Sequence, residues 1–285
     1  MKIAVISDVH GNLLALEAVL ADIARQGVDQ TVNLGDILSG PLQPAETADF
    51  LMARNFPSIA GNHERQLLQQ WDGSPEAIDP SSSDGYAARK IIARHAQWLR
   101  AMPQFYWLTP EVLLVHGTPG SDRVYWLETV TPDFGRHGSR GMRAATPAEV
   151  LQRLQTREGV AGASLVLCGH THVPRAVQCG GTLIVNPGSV GLQAYEDSHP
   201  HYHCAENGSP HARYALVEHS RAGWQVQLCA VPYDWAPQAR LAAQRGRPDW
   251  ACALSTGRMP RQSLDAIKII ASRAYAARAI SIKGL

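Results

Sequence analysis

Residues 3–12 read Ile3-Ala4-Val5-Ile6-Ser7-Asp8-Val9-His10-Gly11-Asn12. The first four form an apolar run that predicts a buried strand, and polar residues follow where that strand would end. Asp8 and His10 stand two positions apart, and such side chains share a face of extended chain. The pair is typical of metal ligands, although an ordinary Asx-type turn leading into a helix would use the same residues. Its meaning therefore depends on the rest of the chain.

The composition predicts a soluble folded protein without a dominant charge. The chain has 285 residues, of which 45% are hydrophobic, and a formal net charge of +1. Its 22 Arg and 4 Lys are scattered, so no basic stripe indicates nucleic-acid binding. No secretory signal and no membrane-spanning run is visible, so we expect a cytoplasmic protein without a membrane partner. No feature indicates an oligomer.

The cysteines argue against a disulfide framework and against a zinc ribbon. There are five of them, an odd number, and none form a C-x-x-C pair. Cys168, beside Gly169, could be taken for a metal ligand, but we interpret it as a small buried packing residue. We therefore expect reduced thiols.

Strands and helices alternate along the first part of the chain. The pattern predicts strands at 3–6, 30–34, 57–60, 105–108, 112–115, 164–168, 175–179, 182–185, 213–219 and 224–231. It predicts helices at 13–23, 45–54, 85–100, 147–157, 235–245 and 263–279. A further helix is predicted to follow residues 61–64 and to end at about Trp71. We expect one α/β domain over residues 1–285 with two packed sheets. Its parts would be an alternating half at 1–172, strands of a second, antiparallel sheet at 173–232, and a helical extension at 233–285.

Polar side chains recur where the predicted strands end. In open α/β sheets, ligands bind beyond the carboxyl ends of the strands, so these residues could share one site. The set comprises Asp8, His10, Asp36, Asn62, His63, His116, His170 and His172.

The blocks Asp8-x-His10, Gly35-Asp36, Gly61-Asn62-His63-Glu64, a lone His116 and Gly169-His170-x-His172 occur in this order. Together they resemble the calcineurin-like metallophosphoesterase superfamily over about residues 1–232. Within it the chain is most similar to small prokaryotic phosphoesterases and related dinucleoside polyphosphate hydrolases. The resemblance implies a four-layer fold, in which two mixed β-sheets pack as a sandwich flanked by helices (α/β, or α+β in some schemes).

The resemblance also implies a role for each residue of the set. Asp8, His10 and His172 would hold one divalent metal ion, and Asn62, His116 and His170 a second. Asp36 would bridge both ions, and His63 would act as the acid-base or transition-state residue. Such ligands suit manganese, iron or zinc. Two ions about 3.5 to 4 Å apart lower the pKa of a shared water and stabilise an in-line displacement at phosphorus.

The residues that would contact a substrate are less defined. Scattered Arg and a His-rich loop could meet a phosphate, or could be solvated surface. The candidates are Arg123, Arg136, Arg140, Arg143, His199, His201, His203 and His211. The segment 120–145 could close over a substrate or bind another chain.

Three functions remain open at this stage. The first is hydrolysis of a phosphate mono- or diester in a nucleotide or small phosphorylated metabolite, with a dinucleoside polyphosphate as an alternative substrate. The second is a nuclease, which the balanced charge disfavours. The third is a non-catalytic metal-binding scaffold, which the complete set of ligands disfavours.

Overall fold

The computed structural model describes residues 1–74, 78–155 and 160–260. The helices are α1 (Leu13–Ile23), α2 (Pro44–Met52), α3 (Asn62–Asp72), α4 (Ser83–Ala88), α5 (Ala93–Arg100), α6 (Pro147–Leu154), α7 (Ala236–Gln244) and α8 (Pro248–Thr256). The strands are β1 (Lys2–Ile6), β2 (Gln30–Asn33), β3 (Phe105–Thr109), β4 (Val112–Val115), β5 (Glu128–Val130), β6 (Met142–Ala144), β7 (Leu165–Leu167), β8 (Arg175–Cys179), β9 (Thr182–Asn186), β10 (Ala194–Asp197), β11 (His203–Glu206), β12 (Ala212–Ser220) and β13 (Gly223–Val231). In these ranges no helix is both long and apolar enough to cross a bilayer.

Two mixed sheets form the centre of the fold. The first has the strand order β13-β12-β1-β2, with β1 parallel to β2 and antiparallel to β12. The second has the order β3-β4-β7-β9-β8, with β4, β7 and β9 parallel. Parallel neighbours within a sheet end at the same edge, so each sheet collects its strand ends on one side.

The side chains of β1 point alternately to the two faces of the first sheet, and this explains how the layers pack. Ile3 and Val5 pack against Val112, Leu114 and other residues of the second sheet, so the two sheets lie face to face. Ala4 and Ile6 point the other way, into a cluster with α1, α2 and α5. A third cluster covers the outer face of the second sheet, where Val150 of α6 is buried. The predicted four-layer α/β architecture is confirmed.

One prediction about the sheets is wrong. The strands at 175–231 do not form a separate antiparallel sheet, because they divide between the two central sheets. β8 and β9 extend the second sheet, whereas β12 pairs with β1 from Lys2–Glu218 to Val5–Ala215 and brings β13 with it. Because β1 is buried on both faces, the N–H and C=O groups along its open edge need hydrogen-bond partners. β12 provides them.

Three local predictions also need correction. The strand expected at 57–60 shrinks to a single bridge between Asn33 and Ser58. The helix expected at 85–100 divides into α4 and α5, because Ile92 is extended and its N–H donates to the His95 ring. The loop at 120–145 contains the hairpin β5–β6. The helix expected at 263–279 lies outside the described residues.

Candidate metal centre

Six predicted ligands meet in two groups at one edge of the sandwich. Within each group, one candidate ligand atom per residue lies within 4.8 Å of the others. The groups are Asp8, His10 and His172, and Asp36, His116 and His170. The first sheet supplies residues after β1 and β2, and the second supplies residues after β4 and β7. The site is therefore formed by long-range packing of both sheets.

Five of these residues have left-handed backbone, which disfavours side chains with a Cβ atom. Their φ angles lie between 51° and 70°. They are Asp8, His10, Asp36, His170 and His172. Each such residue costs about 1 to 3 kcal/mol, so the surrounding structure must hold it in place. Main-chain hydrogen bonds from Asp8 to Gly35 and from His10 to Asp36, 2.9 and 3.1 Å long, provide part of that support.

Two glycines leave the space that the ligands occupy. A Cβ atom on Gly61 would lie 2.2 Å from Oδ1 of Asp36 and 2.8 Å from Cε1 of His116. A Cβ atom on Gly169 would lie 2.1 Å from Oγ of Ser7 and 2.9 Å from Oδ2 of Asp8. These glycines therefore let the motif loops approach the carboxylates closely.

Main-chain carbonyls orient three of the imidazole rings. The Nδ1 atoms of His10, His116 and His172 lie 2.8, 2.7 and 2.8 Å from the carbonyl oxygens of Ser39, Leu34 and Leu192. A neutral ring that donates from Nδ1 presents a lone pair on Nε2, which is the arrangement of a metal-ligating histidine. The main chain of Arg123 forms a comparable hydrogen bond to His170.

Several polar side-chain atoms that face the centre have no hydrogen-bond partner among the described residues. Oδ1 of Asp8, Oδ1 of Asn62 and Nε2 of His116 are buried and lack a hydrogen-bond partner in the described part of the chain. Nε2 of His116 lies 3.0 Å from Oδ2 of Asp36, but out of line for a hydrogen bond. An orphaned buried polar atom costs about 1 to 3 kcal/mol, so these donor atoms fit bound cations.

Charges within the site set its protonation states. Burial alone would raise the pKa of Asp36, but positive charge on His116 and His63 holds it well below its usual value. Burial lowers the pKa of His116, but the charge of Asp36 outweighs it and raises that pKa to about 10, so a metal ion at His116 would displace a proton. Burial, with a neighbouring imidazole, lowers the pKa of His10 and of His170 to about 4. Both rings are therefore neutral at pH 7, as metal ligation requires.

His63 lies beside the ligands and is held by carboxylates. Its Nδ1 is 2.9 Å from Oδ1 of Asp84, and its main-chain N–H donates to Oδ1 of Asp36 over 2.9 Å. Burial lowers the pKa of His63, but the charges of Asp36 and Asp84 outweigh it and raise the pKa to about 9. The sequence interpretation missed Asp84, which follows a Ser- and Pro-rich segment without periodicity.

Glu64 is a second residue whose role the sequence did not reveal. Its buried carboxylate accepts hydrogen bonds from the main-chain N–H groups of Asp36, Ile37 and Gly61, over 2.8, 2.7 and 2.7 Å. It thereby joins the loop after β2 to the start of α3. Burial and the charge of Asp36 raise the pKa of Glu64 to about 6 despite these three donors.

The ligands open into a cavity of about 300 Å³. The predicted centre contributes His10, Asp36, Asn62, His63, His170 and His172 to its lining. Two tyrosines and the segment around helix α8 form other walls. They contribute Tyr125, Tyr195, Arg247, Asp249, Trp250, Ala253 and Met259.

Most of the candidate substrate contacts lie elsewhere. Arg140 pairs with Glu206 at 2.9 Å and Arg143 pairs with Glu149 at 2.8 Å. Arg136 lies in a short exposed turn, and the side chain of His199 is 82% exposed. None of these residues, nor Arg123, His201 or His211, lines the cavity within the described ranges.

His203 is the member of the His-rich loop that approaches the site indirectly. It is buried, and its Nε2 lies 3.0 Å from the hydroxyl of Tyr125. The Tyr125 hydroxyl also accepts a hydrogen bond of 2.7 Å from Tyr195. The rings of Tyr125 and Tyr195 pack on His170 and His172, with centroids 4.9 and 4.7 Å apart. His203 thus supports a tyrosine pair that backs two candidate ligands.

Comparison with known proteins places this chain in a family. A model of the calcineurin-like phosphoesterase superfamily domain matches residues 1–207, more than half of the chain. The chain belongs to the calcineurin-like phosphoesterase superfamily, as its motifs indicated.

The similarity to individual proteins extends beyond the matched domain. An uncharacterized protein of Methanocaldococcus jannaschii is 24% identical over 261 residues, which cover 87% of this chain and 94% of that protein. The crystal structure of a metallophosphoesterase from Sphaerobacter thermophilus has a TM-score of 0.66 and 25% identity, covering 90% of this chain and 99% of that one. A hypothetical protein from Pyrococcus horikoshii shares the fold, with a TM-score of 0.66 and 19% identity over 91% of this chain and 99% of that one.

Proposed function

We propose that this chain is a dinuclear metal-dependent hydrolase of phosphoesters, acting on a nucleotide or another small phosphorylated metabolite. The observation that carries the proposal is the pair of ligand groups, members of which line one cavity of about 300 Å³. That volume is at the lower end of ordinary small-molecule sites and suits a small ester.

The donor atoms would divide between two cations. Asp8, His10 and His172 form one group, and His116 and His170 form the other with Asn62 as a further donor. Asp36, whose two oxygens face different neighbours, would contribute to both. Imidazole, carboxylate and amide ligands suit manganese, iron or zinc. When bound, two such ions supply a water of lowered pKa and offset negative charge on phosphorus.

The protein itself would supply proton transfer and orientation. His63 lines the cavity, so its ring can hold a proton close to the leaving oxygen of a bound ester. Nδ1 of His63 is hydrogen-bonded to Asp84. The proton that His63 transfers is therefore the one on Nε2, the ring nitrogen that is left to face the substrate.

A covalent route through a cysteine finds no support. Cys168 is the thiol nearest in sequence to the ligand motifs, and it is fully buried. Burial raises its pKa well above the ordinary value, so the thiol stays protonated and is a poor nucleophile.

The test is a substrate panel on full-length protein that has been treated with a chelator and reloaded with manganese, iron or zinc. The panel would compare an aryl phosphomonoester, an aryl phosphodiester, a mononucleotide and a dinucleoside polyphosphate by kcat/KM, with elemental analysis of each sample. We expect two metal ions per chain and metal-dependent turnover. Full occupancy without turnover on any ester would instead support a metal-binding scaffold.

A further inference from the structure

Helices α7 and α8 lie beyond residue 207, where the family match ends, yet α8 and the residue before it wall the candidate site. The ring of Trp250 is 6.0 Å from that of His10. The pair of helices is also tied to the first motif loop, since Gln238 donates to the side chain of Asn12 over 3.2 Å. Arg245 donates to the carbonyl oxygen of Pro41 over 2.7 Å. The hydrogen bonds tie α7 to the loops beside the metal ligands, and Trp250 places α8 next to His10.

Arg247, immediately before α8, brings a fixed positive charge into this cavity. It is the one Arg or Lys among the cavity-lining residues in the described ranges. Its Nε and Nη2 donate to the carboxylate of Asp249 over 3.0 and 2.7 Å, and its Nη1 donates to Oγ of Ser83 over 3.0 Å. The guanidinium carbon lies 5.6 Å from the centre of the Trp250 ring. Its orientation is therefore set before any substrate binds.

This arrangement leaves donors for a ligand. A guanidinium group has about five N–H donors in a rigid plane, and the contacts with Asp249 and Ser83 use three of them. Asp249 occupies the Nε side, and among the described residues one N–H donor on Nη1 and one on Nη2 have no partner. Guanidinium donors of this kind bind a carboxylate or a phosphate. The Arg247 side chain is 24% exposed, so the group is accessible but partly desolvated.

We propose that Arg247 binds a second anionic group of the substrate, a carboxylate or phosphate other than the phosphoryl group that is cleaved. The inference deepens the proposed function and rests on it. The cleaved group would lie at the ligands of the metal centre, and the ring of Trp250 lies 6.0 Å from that of His10 and 5.6 Å from the guanidinium carbon of Arg247. Arg247 is therefore placed for a remote group of the same molecule. The preferred substrates are small phosphoesters with two acidic groups.

A purely structural role for Arg247 makes a different prediction. Ser83 precedes Asp84, the partner of His63, so Arg247 could act only by holding the start of α4. In that case Ser83→Ala would reproduce the effect of replacing Arg247. Ser82 already caps α4 by accepting from the N–H of Gly85 over 3.0 Å, so Ser83→Ala should leave the helix intact.

The experiment compares phenyl phosphate with 3-carboxyphenyl phosphate, which differ by one carboxylate. The dissociation constants would be measured by calorimetry on metal-loaded protein with the hydrolysis-resistant phosphonate analogues of the two esters, and kcat/KM would be measured in parallel with the esters themselves. The variants are Arg247→Met, Arg247→Lys, Ser83→Ala and, as a matched control, Arg240→Met, which removes an exposed cation from α7 of the same helix pair.

We expect wild type to bind the carboxylated ester about 10- to 100-fold more tightly than phenyl phosphate. Arg247→Met should abolish this preference, Arg247→Lys should restore part of it, and Ser83→Ala and Arg240→Met should keep it. Equal binding of the two esters by wild type, or equal losses for both esters in Arg247→Met, would overturn the inference. If neither these monoesters nor any other ester of the panel is hydrolysed, the proposed function fails, whereas the binding preference still tests Arg247.

Discussion

Oδ1 of Asp84 lies 2.9 Å from Nδ1 of His63, a residue that precedes it by 21 positions. The same His63 donates its main-chain N–H to Asp36, a candidate ligand of both metals. His63 is thus held at its backbone by one carboxylate and at its ring by another. In the proposed mechanism, Asn62 would bind a metal ion and its neighbour His63 would transfer a proton.

His63→Ala should lower kcat on a phosphoester by about 100- to 10,000-fold, the usual contribution of a general acid or base. Metal content should stay at the wild-type level, because the ring of His63 is not in either ligand group. The measurement is kcat together with elemental analysis of the same preparation. Loss of both metals would show that His63 is a structural part of the centre.

Asp84→Asn should lower kcat by less than His63→Ala, again with the metals retained. The charge of Asp84 helps to raise the pKa of His63 to about 9, so a neutral amide should lower that pKa and reduce the fraction of His63 that carries a transferable proton. Glu46→Gln is a suitable control, since it neutralises an acidic residue in the first turn of another helix, α2. An unchanged kcat in Asp84→Asn would remove the carboxylate from the mechanism.

The sequence identified the six candidate ligands that lie together because its signals are local. An apolar run followed by Asp or His marks both a strand and its end, and parallel strands then place those ends together. Asp84 and Arg247 carry no such signal. Their roles depend on where α4 and α8 pack, which is decided by contacts between residues as distant as Ser83 and Arg247.

Sheet membership was harder to predict for the same reason. β8, β9, β12 and β13 were recognisable from the sequence, but a strand pattern does not specify a partner. β10 and β11, which pair with each other, were not predicted. β12 joins β1 across more than 200 residues, so its place in the first sheet depends on tertiary packing. The candidate arginines at 123–143 were chosen for their charge alone, and Arg140 and Arg143 instead form ion pairs with nearby glutamates.

Asp36→Asn should lower metal content and activity together. The carboxylate lies 3.0 Å from His116, and its charge is the element that an amide cannot replace between two cations. Elemental analysis and kcat/KM should therefore fall in parallel. Asp72→Asn removes a carboxylate that pairs with Arg100 at the surface, and it should change neither quantity. Full metal content in Asp36→Asn would contradict a bridging role.

Glu64→Gln should destabilise the protein and weaken metal binding without touching a ligand. Three main-chain N–H groups donate to the two oxygens of the carboxylate. The amide of Gln has a single acceptor oxygen, so at least one of these donors would lose its partner. A lost hydrogen bond to a buried charge costs about 1.5 to 3 kcal/mol. Thermal unfolding and metal titration would measure the two effects. Retention of both properties would show that the loops do not depend on this residue.

Gly61→Ala should disrupt the centre through the addition of one methyl group. The new Cβ would lie 2.2 Å from Oδ1 of Asp36 and 2.8 Å from Cε1 of His116, so the bridging carboxylate or the imidazole would have to move. Gly181→Ala is the matched control, because a Cβ there meets nothing within 4 Å in the described part of the chain. We expect Gly61→Ala to fold with lowered metal affinity and activity, whereas Gly181→Ala should match wild type in both. Equal metal affinity in the two variants would mean that the close approach of Gly61 to Asp36 is not required for the centre.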